Sequence, residues 1–428
     1  MADDTRLDAA IEAHEAGRLQ EAEAGFRAVL SASPDNADVM QRLGVARAQQ
    51  GDLDEAKQWL ERAVDTDAGH YAALDNLGNL RQLLKDYAGA AECYRKATAL
   101  APDAPEAHYN LGVALAKHED VPGAEAAYRH TVELAPDHYN ARYNLAHLLL
   151  RNSNNEAAVA VLDEALSRWS EDARLLLLKS DAHRNLKQWQ QAADVLQAAI
   201  DRDPSRAHLS HMVDAYRGEV PERPPDAFVS DLFDGFAADY DARLLLNLDY
   251  QVPMTLAWLL TDTVGEDVCF DRLLDLGCGS GLSGIEFHDY ADAMVGVDLS
   301  PKMLEKARAR DIYVELSDLA IDAYLDCDGP SFDAFVAADV FVYVGSLERV
   351  FEGVAARAEA GATFLFSVEA TDSDSLELRQ TGRYAHPQSY IRQLAAANGF
   401  TVARHVSKPL RLDFGEPVMG DYYLLVAG

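Results

Sequence analysis

The chain has 428 residues, 49% of them hydrophobic, which is long enough for two or three domains that each bury a core. Its 71 acidic residues against 38 Lys and Arg give a formal net charge of −33. Because no basic patch interrupts this charge, the composition argues against binding to nucleic acid or to an anionic membrane surface. We ascribe the acidity to solubility or a salty cytoplasm rather than to a cationic substrate.

Cysteine usage and the N-terminal sequence indicate a compartment. The four cysteines form no C-x-x-C pair, which is typical of reduced thiols and predicts no metal site. The first residues lack a basic region followed by an apolar run, and no apolar stretch reaches membrane-spanning length. We therefore expect a cytoplasmic protein.

The first half of the chain is an internal repeat. An alanine recurs every 34 residues and a large apolar residue follows it four positions later, at Ala22, Ala56, Ala90, Ala124, Ala158 and Ala192 and at Phe26, Leu60, Tyr94, Tyr128, Leu162 and Leu196. Leu-Gly pairs in units two to four supply small residues where paired helices would approach closely. The pattern resembles the tetratricopeptide repeat, with six units over residues 3–206 and a cap helix at 207–217. This resemblance implies an all-α solenoid with a concave groove.

Repeated asparagines indicate what that groove binds. Asn76, Asn110 and Asn144 occupy the sixth position of units three to five, which faces the groove in this family, and in its peptide-binding members such an amide bonds the ligand backbone. Further residues of the same wall would be Tyr109, Tyr143, Asn79 and His147. The regular Lys and Arg that clamp a C-terminal carboxylate are missing, so a short peptide or a partner's loop fits better. The alternative is that the amides are simply exposed on a polar face.

A proline-rich segment marks the domain boundary. Proline stops helix formation and stiffens the chain, so "GEVPERPPDAF" reads as a linker. The predicted organisation is a solenoid over residues 1–217, a linker over 218–227 and a second domain over 228–428.

The second domain alternates between strand and helix patterns. Residues 228–260 look helical, with an interruption at Pro253. The strands that follow are predicted at 272–276, 293–298, 311–316, 332–340, 362–369, 399–407 and 421–427, and the helices at 281–290, 301–309, 320–326, 347–358 and 387–397. Strands separated by helices predict parallel βαβ units in a doubly wound, Rossmann-like α/β sheet.

The turn after the first strand carries a ligand-binding pattern. In "LLDLGCGSGLSG" the spacing is Asp275-x-Gly277-x-Gly279-x-Gly281. A glycine-rich turn that opens a helix offers backbone N–H groups to a polar or anionic ligand. The spacing is not the dinucleotide fingerprint, and no P-loop lysine follows. It resembles motif I of class I S-adenosylmethionine-dependent methyltransferases, and the resemblance covers about residues 228–428.

Three further segments match this family in order, and the resemblance implies their roles. Asp298 would accept hydrogen bonds from the ribose hydroxyls of the cofactor, Asp318 and Leu319 would meet the adenine, and Asp339 would lie beneath the methyl-transfer site. The remaining cofactor contacts implied are Tyr240, Asp275, Cys278, Leu299 and Met303. For three of these an alternative stays open: Asp275 could cap the loop, Met303 could be a core residue, and Cys278 is better explained as a small packing residue than as a nucleophile.

The sequence indicates the residues that would contact the methyl acceptor less clearly than those that would contact the cofactor. Methyl transfer is an in-line displacement, which needs a base only when the acceptor arrives protonated. His386, after the fifth strand, is the best candidate base, although it could merely cap the helix that begins at Pro387. Tyr343, Glu369 and Tyr384 would orient the acceptor, with a solvated strand end as the alternative for Glu369.

Within the family, the likeness is to bacterial proteins that fuse tetratricopeptide repeats to a methyltransferase, and more loosely to ubiquinone-biosynthesis-type O-methyltransferases. It implies methylation of an oxygen on a small-molecule or peptide-borne acceptor, with release of S-adenosylhomocysteine and recruitment by the repeats. The alternatives are a protein methyltransferase whose substrate docks in the groove and a silent scaffold that only binds the cofactor. No Asn-Pro-Pro-Tyr follows the fourth strand, so base-flipping chemistry is not expected. The choice between monomer and homodimer stays open.

Overall fold

The computed structural model describes residues 2–237, 240–242, 250–413 and 416–428. The chain divides into two compact units, Met1–Gln188 and Trp189–Gly428. Parts of the segment predicted to be helical, 238–239 and 243–249, lie outside the described residues. Within the described ranges no helix has both the length and the apolar character needed to cross a bilayer.

The first unit is made of α-helices that pack in chain order, as the repeat pattern predicts. Each helix contacts the next one along the chain, which is the arrangement of a helical-hairpin solenoid. The helices are α1 (Ala2–Glu15), α2 (Leu19–Ala32), α3 (Ala37–Gln49), α4 (Leu53–Thr66), α5 (Tyr71–Leu83), α6 (Tyr87–Leu100), α7 (Pro105–Lys117), α8 (Val121–Leu134), α9 (Tyr139–Arg151), α10 (Asn155–Leu166) and α11 (Ala173–Asn185). The all-α prediction for this part of the chain is confirmed.

Two local features recur in the hairpins of α3–α4, α5–α6 and α7–α8. An aspartate caps the second helix: the Asp120 side chain accepts a hydrogen bond from the backbone N–H of Gly123 at 3.1 Å. The first N–H groups of a helix have no partner within the helix, and this bond gives one of them an acceptor. The first helix carries the small residue predicted for close approach. A Cβ built on Gly112 would lie 2.7 Å from the ring of Tyr128 in the same hairpin. The recurring alanine, such as Ala124, is fully buried between them.

The second unit combines helices with one mixed sheet. Its helices are α12 (Trp189–Arg202), α13 (Ser210–Arg217), α14 (Asp226–Phe236), α15 (Tyr240–Ala242), α16 (Val252–Val264), α17 (Leu282–Phe287), α18 (Pro301–Ala309), α19 (Ile321–Asp326), α20 (Glu348–Arg357) and α21 (Gln388–Ala397). Its strands are β1 (Leu273–Leu276), β2 (Met294–Val297), β3 (Glu315–Ser317), β4 (Phe332–Ala337), β5 (Ala358–Ala370), β6 (Glu377–Leu378), β7 (Tyr384–His386), β8 (Phe400–Asp413) and β9 (Glu416–Ala427).

The sheet has the predicted doubly wound character. Its order is β3-β2-β1-β4-β5-β7-β6, and β9 pairs antiparallel with both β5 and β8. In the run β3-β2-β1-β4-β5 each strand is parallel to the next. β1 is buried along its whole length, as expected of a central strand with helices on both faces. The predicted Rossmann-like α/β class is therefore confirmed.

Some boundaries differ from the sequence prediction. β3 begins at Glu315 rather than at residue 311, because Asp311 has a positive φ of 58° that an extended strand does not allow. The hairpin of β6 and β7 lies where only a loop is predicted. Pro253 does not interrupt a helix: it lies in the first turn of α16, where a missing N–H costs nothing.

The proline-rich linker is bound to the second unit. The carbonyl of Pro221 accepts a hydrogen bond from the Tyr384 hydroxyl at 2.9 Å, and the carbonyl of Glu222 accepts one from the backbone N–H of Ser346 at 2.7 Å. The division into compact units falls before α12, so α12 and α13 belong with the sheet rather than with the other repeat helices. The boundaries 1–217, 218–227 and 228–428 stay a prediction from sequence.

The close approach inside the hairpins can be tested at Gly112. We expect Gly112→Ala to lower the free energy of unfolding, because overlap with the Tyr128 ring costs about 1–3 kcal/mol, more than the roughly 1 kcal/mol gained in helix propensity. Tyr128→Ala removes the ring, so the double variant should lose less than the sum of the two single changes. Denaturant titration of the three variants measures this, and a stabilised Gly112→Ala protein would show that the hairpin is not tightly packed there.

Candidate functional site

A cleft of about 210 Å³ lies at the carboxyl edge of the sheet. It is lined by many residues that the sequence singles out, together with Phe233 of α14: Tyr240, Gly277, Gly279, Asp298, Leu299, Leu319, Asp339 and Tyr343. Linker residues, including Glu222 and Arg223, complete the lining. Arg223 is held there by Asp322 at 3.0 Å, a carboxylate that Arg349 also contacts at 2.9 Å.

The glycine turn is bonded tightly to the neighbouring strand. The backbone N–H groups of Gly277 and Cys278 both donate to the carbonyl of Val297, at 2.8 and 3.0 Å. Gly277 has a φ of +71°, and a Cβ there would overlap the side chain of Val340. Only glycine meets both requirements. Gly281 is the N-cap of α17, with a φ of +88°. Gly277 and Gly279 let the backbone itself form part of the wall of the cleft, and Gly281 lies outside its lining.

Asp275 is a buried carboxylate with one unpartnered oxygen. Its Oδ2 accepts hydrogen bonds from the Ser283 and Tyr313 hydroxyls, both at 2.7 Å, whereas Oδ1 has no partner among the described residues. Burial raises the pKa of Asp275 to about 6, and the two hydroxyl donors oppose that rise. Buried acceptors are usually hydrogen-bonded, so this oxygen is available to a donor from a bound ligand.

Asp298 ends the second strand and reaches the glycine turn. Its Oδ2 accepts from the backbone N–H of Gly279 at 2.9 Å, and its Oδ1 accepts from that of Ser300 at 2.8 Å. Burial raises the pKa of this carboxyl, and the two N–H groups oppose the rise. Asp298 therefore links the turn to the start of α18 while it lines the cleft.

The other predicted cofactor residues differ in whether they line the cleft. Leu299 and Leu319 line the cleft, while Asp318 is exposed outside that lining. Met303 is fully buried in α18. Cys278 is buried, with its sulfur 3.9 Å from the carbonyl of Gly279, and burial raises the pKa of its thiol well above the ordinary range. This environment agrees with a packing role for Cys278 and not with a nucleophile.

The segment before β1 is held against the glycine turn. Asp241 accepts hydrogen bonds from the Ser280 hydroxyl at 2.5 Å and from Arg310 at 2.8 Å. The ring of Tyr240 lies 5.9 Å from that of Phe233, edge to face. Tyr240 is thus set in the cleft by its neighbour Asp241, a residue that the sequence does not single out.

An ion-pair cluster lies where β4 ends. Both Asp339 oxygens bond one nitrogen of Arg411, at 2.8 and 3.0 Å, and the other terminal nitrogen bonds Glu369 at 2.8 Å. Arg411 is 3% exposed. Burial raises the pKa of Glu369, and Arg411 opposes the rise. Glu369 is therefore not a solvated strand end, and as a partner of Arg411 it lies outside the cleft lining rather than facing an acceptor.

Tyr343 lines the cleft at the end of the loop that follows β4. Its hydroxyl accepts a hydrogen bond from Arg383 Nε at 3.2 Å, and its ring packs edge to face on Phe233 with centroids 5.1 Å apart. Arg383 belongs to the β6–β7 hairpin, which the sequence patterns miss because its strands have only two and three residues.

His386 and Tyr384 do not reach the cleft, contrary to the expected roles. His386 is fully buried and its Nε2 bonds the carbonyl of Gly345 at 2.9 Å. Burial lowers the pKa of His386 to about 4, so the ring is neutral near pH 7. The Tyr384 hydroxyl is used by the linker carbonyl of Pro221. Short-range patterns could not reveal these contacts, since both partners lie far away along the chain.

The arrangement fits S-adenosylmethionine. Gly277 and Gly279 leave room for a ligand against the backbone, Asp298 offers carboxylate oxygens suited to a diol, and Asp275 has an unpartnered oxygen suited to an ammonium group. In the described part of the chain no group of three or more His, Cys, Asp or Glu side chains is arranged around a metal position.

The groove asparagines lie in the first unit, on α5, α7 and α9, and each is half-buried. The Asn76 amide donates to the carbonyl of Ala72 at 2.8 Å, Asn110 bonds the Asp75 carboxylate, and the Asn144 amide donates to the Tyr109 hydroxyl at 3.4 Å. Neighbouring repeats are thus joined by polar side chains. Tyr143 stacks on Tyr139, with centroids 6.1 Å apart.

Family models match both units. One described as a methyltransferase domain matches residues 273–361. Models described as tetratricopeptide repeat match residues 13–78 and 143–207, and one described as TPR repeat matches 78–119.

Similar proteins include two curated methyltransferases. The 18S rRNA (guanine-N(7))-methyltransferase of Bos taurus is 38% identical over 100 residues, and that of Mus musculus is 36% identical over 104 residues. Each match covers 23% of this chain and 34% of the relative, so the chain spans about a third of the length of these relatives.

Solved structures also resemble parts of the chain. Magnesium protoporphyrin IX methyltransferase from Synechocystis PCC 6803, with bound S-adenosylmethionine, is 19% identical with a TM-score of 0.37, covering 47% of this chain and 97% of that one. The TPR protein YrrB is 19% identical with a TM-score of 0.39, covering 42% and 94%. The chain combines tetratricopeptide repeats with a class I methyltransferase domain whose cofactor is S-adenosylmethionine.

Proposed function

We propose that the second unit methylates an oxygen atom of a small-molecule or peptide-borne acceptor. The observation that carries this proposal is the meeting of the glycine turn, Asp298 and Asp339 in one cleft, with the unpartnered Asp275 oxygen behind the turn. When bound, S-adenosylmethionine supplies a methyl group on a positively charged sulfur. The carboxylates around the cleft favour a cation at this position.

In this proposal each cofactor-binding residue contacts a different part of S-adenosylmethionine. Gly277 and Gly279 present the backbone, Asp298 accepts from the ribose hydroxyls, and Asp275 pairs with the ammonium group. Leu299 and Leu319 would enclose the adenine from the cleft wall. Tyr240 would cover the methionine end, because Asp241 fixes it beside the turn.

The acceptor is one that needs no strong base. In the described ranges the cleft lining contains no histidine or lysine, and the buried, neutral His386 uses its N–H on a carbonyl. An oxygen that arrives ionised, such as a carboxylate or an acidic hydroxyl, suits this site. Tyr343 and Asp339 lie where they could orient it, and Arg411 holds the Asp339 carboxylate in place.

The curated relatives suggest a nitrogen acceptor instead. Their name specifies guanine N7 of 18S rRNA, and a ring nitrogen with a free lone pair also needs no base. We favour a non-nucleic-acid acceptor because the chain has a formal net charge of −33, which repels a phosphate backbone.

The repeats would recruit the acceptor or its carrier, in a cytoplasmic setting. Asn110 and Asn144 are half-buried amides on consecutive repeats, the type of group that bonds an extended peptide. If the bound partner is itself methylated, the chain is a protein methyltransferase, and tethering would raise the local acceptor concentration.

The function is tested by combining binding with turnover. We expect calorimetry to detect S-adenosylmethionine binding, and we expect release of S-adenosylhomocysteine when a fractionated cell extract supplies acceptors. Binding without release in any fraction would identify a silent scaffold and overturn the proposed activity.

Asp275 should make cofactor binding pH-dependent. Its carboxyl ionises near pH 6, so the affinity for S-adenosylhomocysteine should rise between about pH 5 and 7 as the carboxylate forms. Asp275→Asn should weaken binding about tenfold or more and abolish this rise, because the ion pair is lost. Calorimetry across that pH range measures both effects.

The same variant supplies its own stability control. The folded pKa lies above the unfolded value of about 3.9, so Asp275 makes the wild-type fold less stable as pH rises from about 4 to 6. Asp275→Asn should therefore melt no lower than wild type at pH 7. Unchanged affinity in this folded variant would contradict the role given to Asp275.

His386→Gln separates a structural histidine from a base. Glutamine can still donate to Gly345, so we expect kcat within about threefold of wild type, whereas losing a general base costs about 100-fold or more. Because the His386 pKa of about 4 lies below the unfolded value, its contribution to stability is present above about pH 6.5 and lost on acidification towards pH 4. Denaturant titrations should show a smaller acid loss in His386→Gln. A folded variant with kcat reduced 100-fold would restore the base role.

The groove asparagines are tested together. Asn110→Ala/Asn144→Ala should raise the KM for a repeat-recruited acceptor about tenfold and leave kcat unchanged, since two backbone hydrogen bonds are lost away from the reaction. Asn152→Ala is the matched control, because its amide bonds the carbonyl of Leu148 within α9. Equal KM values in all three proteins would remove the groove from acceptor recruitment.

A further inference from the structure

We propose that the cap helix α13, together with the linker, positions the acceptor side of the cleft, and that His211 is the residue through which it acts. The role in acceptor positioning rests on the proposed methyl transfer, whereas the contacts of His211 are observed independently of it. It assigns a role in the second unit to residues that the sequence groups with the repeats.

The first contact clamps the β6–β7 turn. His211 is 1% exposed and its Nε2 lies 2.9 Å from the carbonyl of Gly382. A carbonyl only accepts, so Nε2–H is the donor. Burial lowers the pKa of His211. The ring lies between Phe228 and Tyr384, with centroids 4.7 and 5.5 Å away.

Close packing leaves the turn little freedom at this contact. Gly382 has a φ of +77°, and a Cβ there would lie 2.7 Å from the sulfur of Met212, the residue after His211. The turn is closed by the Gly382 N–H to the carbonyl of Arg379 and by the Arg379 N–H to the carbonyl of Arg383, both at 2.8 Å. α13 therefore holds the turn from outside while these bonds hold it from within.

The clamped turn is linked to the cleft through Tyr343. Arg383 follows Gly382, and its Nε donates to the hydroxyl of Tyr343, which lines the cleft. The linker supports Tyr343 from the other direction, because the carbonyl of Glu222 accepts the N–H of Ser346, three residues further along. Two contacts from residues before 228 thus hold the segments on which Arg383 and Tyr343 lie. His211 is a positioning residue for Arg383 and, through it, for Tyr343.

Hydrogen exchange on the full chain tests the clamp without any activity. His211→Phe keeps an aromatic ring but removes the donor, which leaves the Gly382 carbonyl without it. We expect the amides of residues 377–386 to exchange about tenfold faster. His211→Gln retains a donor and should restore slow exchange. Arg217→Gln is the matched control on the same helix, since Arg217 pairs with Asp194 of α12 at 3.6 Å. Equal exchange in all four proteins would overturn the proposal.

Kinetics test whether the clamp serves the acceptor. With cell-extract fractions as the acceptor source, His211→Phe should lower kcat/KM for the acceptor about tenfold while the Kd for S-adenosylhomocysteine changes less than twofold. Rescue by His211→Gln is expected. A parallel loss of cofactor affinity would mean general unfolding and would contradict a positioning role.

A second variant keeps the test decisive if His211→Phe fails to fold. Arg383→Lys removes the planar guanidinium beside Tyr343 and should reproduce the kinetic loss with unaltered exchange in residues 377–386. If wild type releases no S-adenosylhomocysteine, the proposed function fails, while exchange still decides the clamp. If wild type is active and His211→Phe is equally active, only the positioning role fails.

Discussion

The in-register parallel pairing of β1 with β2 and β4 is the constraint on which the cleft depends. Leu276 pairs with Val297 and Asp275 with Val336, so the chain leaves all three strands at the same edge. One residue beyond the paired ends, the Gly277 N–H still bonds the carbonyl of Val297. A shift of one residue in this register would turn Asp275 to the opposite face and separate the turn from Asp298. Gly277, Asp298 and Asp339, which follow three different strands, meet in one cleft because the sheet is in register.

Asp275, which is buried behind the glycine turn, and Asp339, which lines the cleft, are carboxylates with different protein partners. Asp275 has two hydroxyl donors and one free oxygen, which leaves its charge available to a ligand. Asp339 shares Arg411 with Glu369 in a buried cluster, where removing one partner would leave an uncompensated charge. A ligand can therefore recruit Asp275 without breaking a protein contact, whereas Asp339 serves as a fixed wall. This difference arises because Asp275 is bonded by neutral hydroxyl groups, whereas Asp339 is bonded by a charged guanidinium.

Local spacing predicted what depends on local geometry. The glycine turn after β1 and the helix pairs follow from residues a few positions apart, and both are present in the structure. Prediction failed where a distant partner decides the outcome. His386 bonds the carbonyl of Gly345, Tyr384 bonds that of Pro221, and Glu369 pairs with Arg411 on β8. None of these pairs has a periodic or motif signal, because each arises from the packing of strands and loops that are remote in sequence.

The proline content of the linker predicts its lack of helix correctly, but it does not predict that the linker bonds to the second unit. Proline excludes helix between α13 and α14. Because proline also lacks a backbone N–H, the carbonyls of this segment need hydrogen-bond donors from other parts of the chain. The carbonyls of Pro221 and Glu222 find their donors in Tyr384 and Ser346. A segment expected to separate two domains is therefore a bonded part of one of them. It follows that the catalytic unit extends back at least through α13, since His211 and the linker together brace the side of the cleft that carries Tyr343.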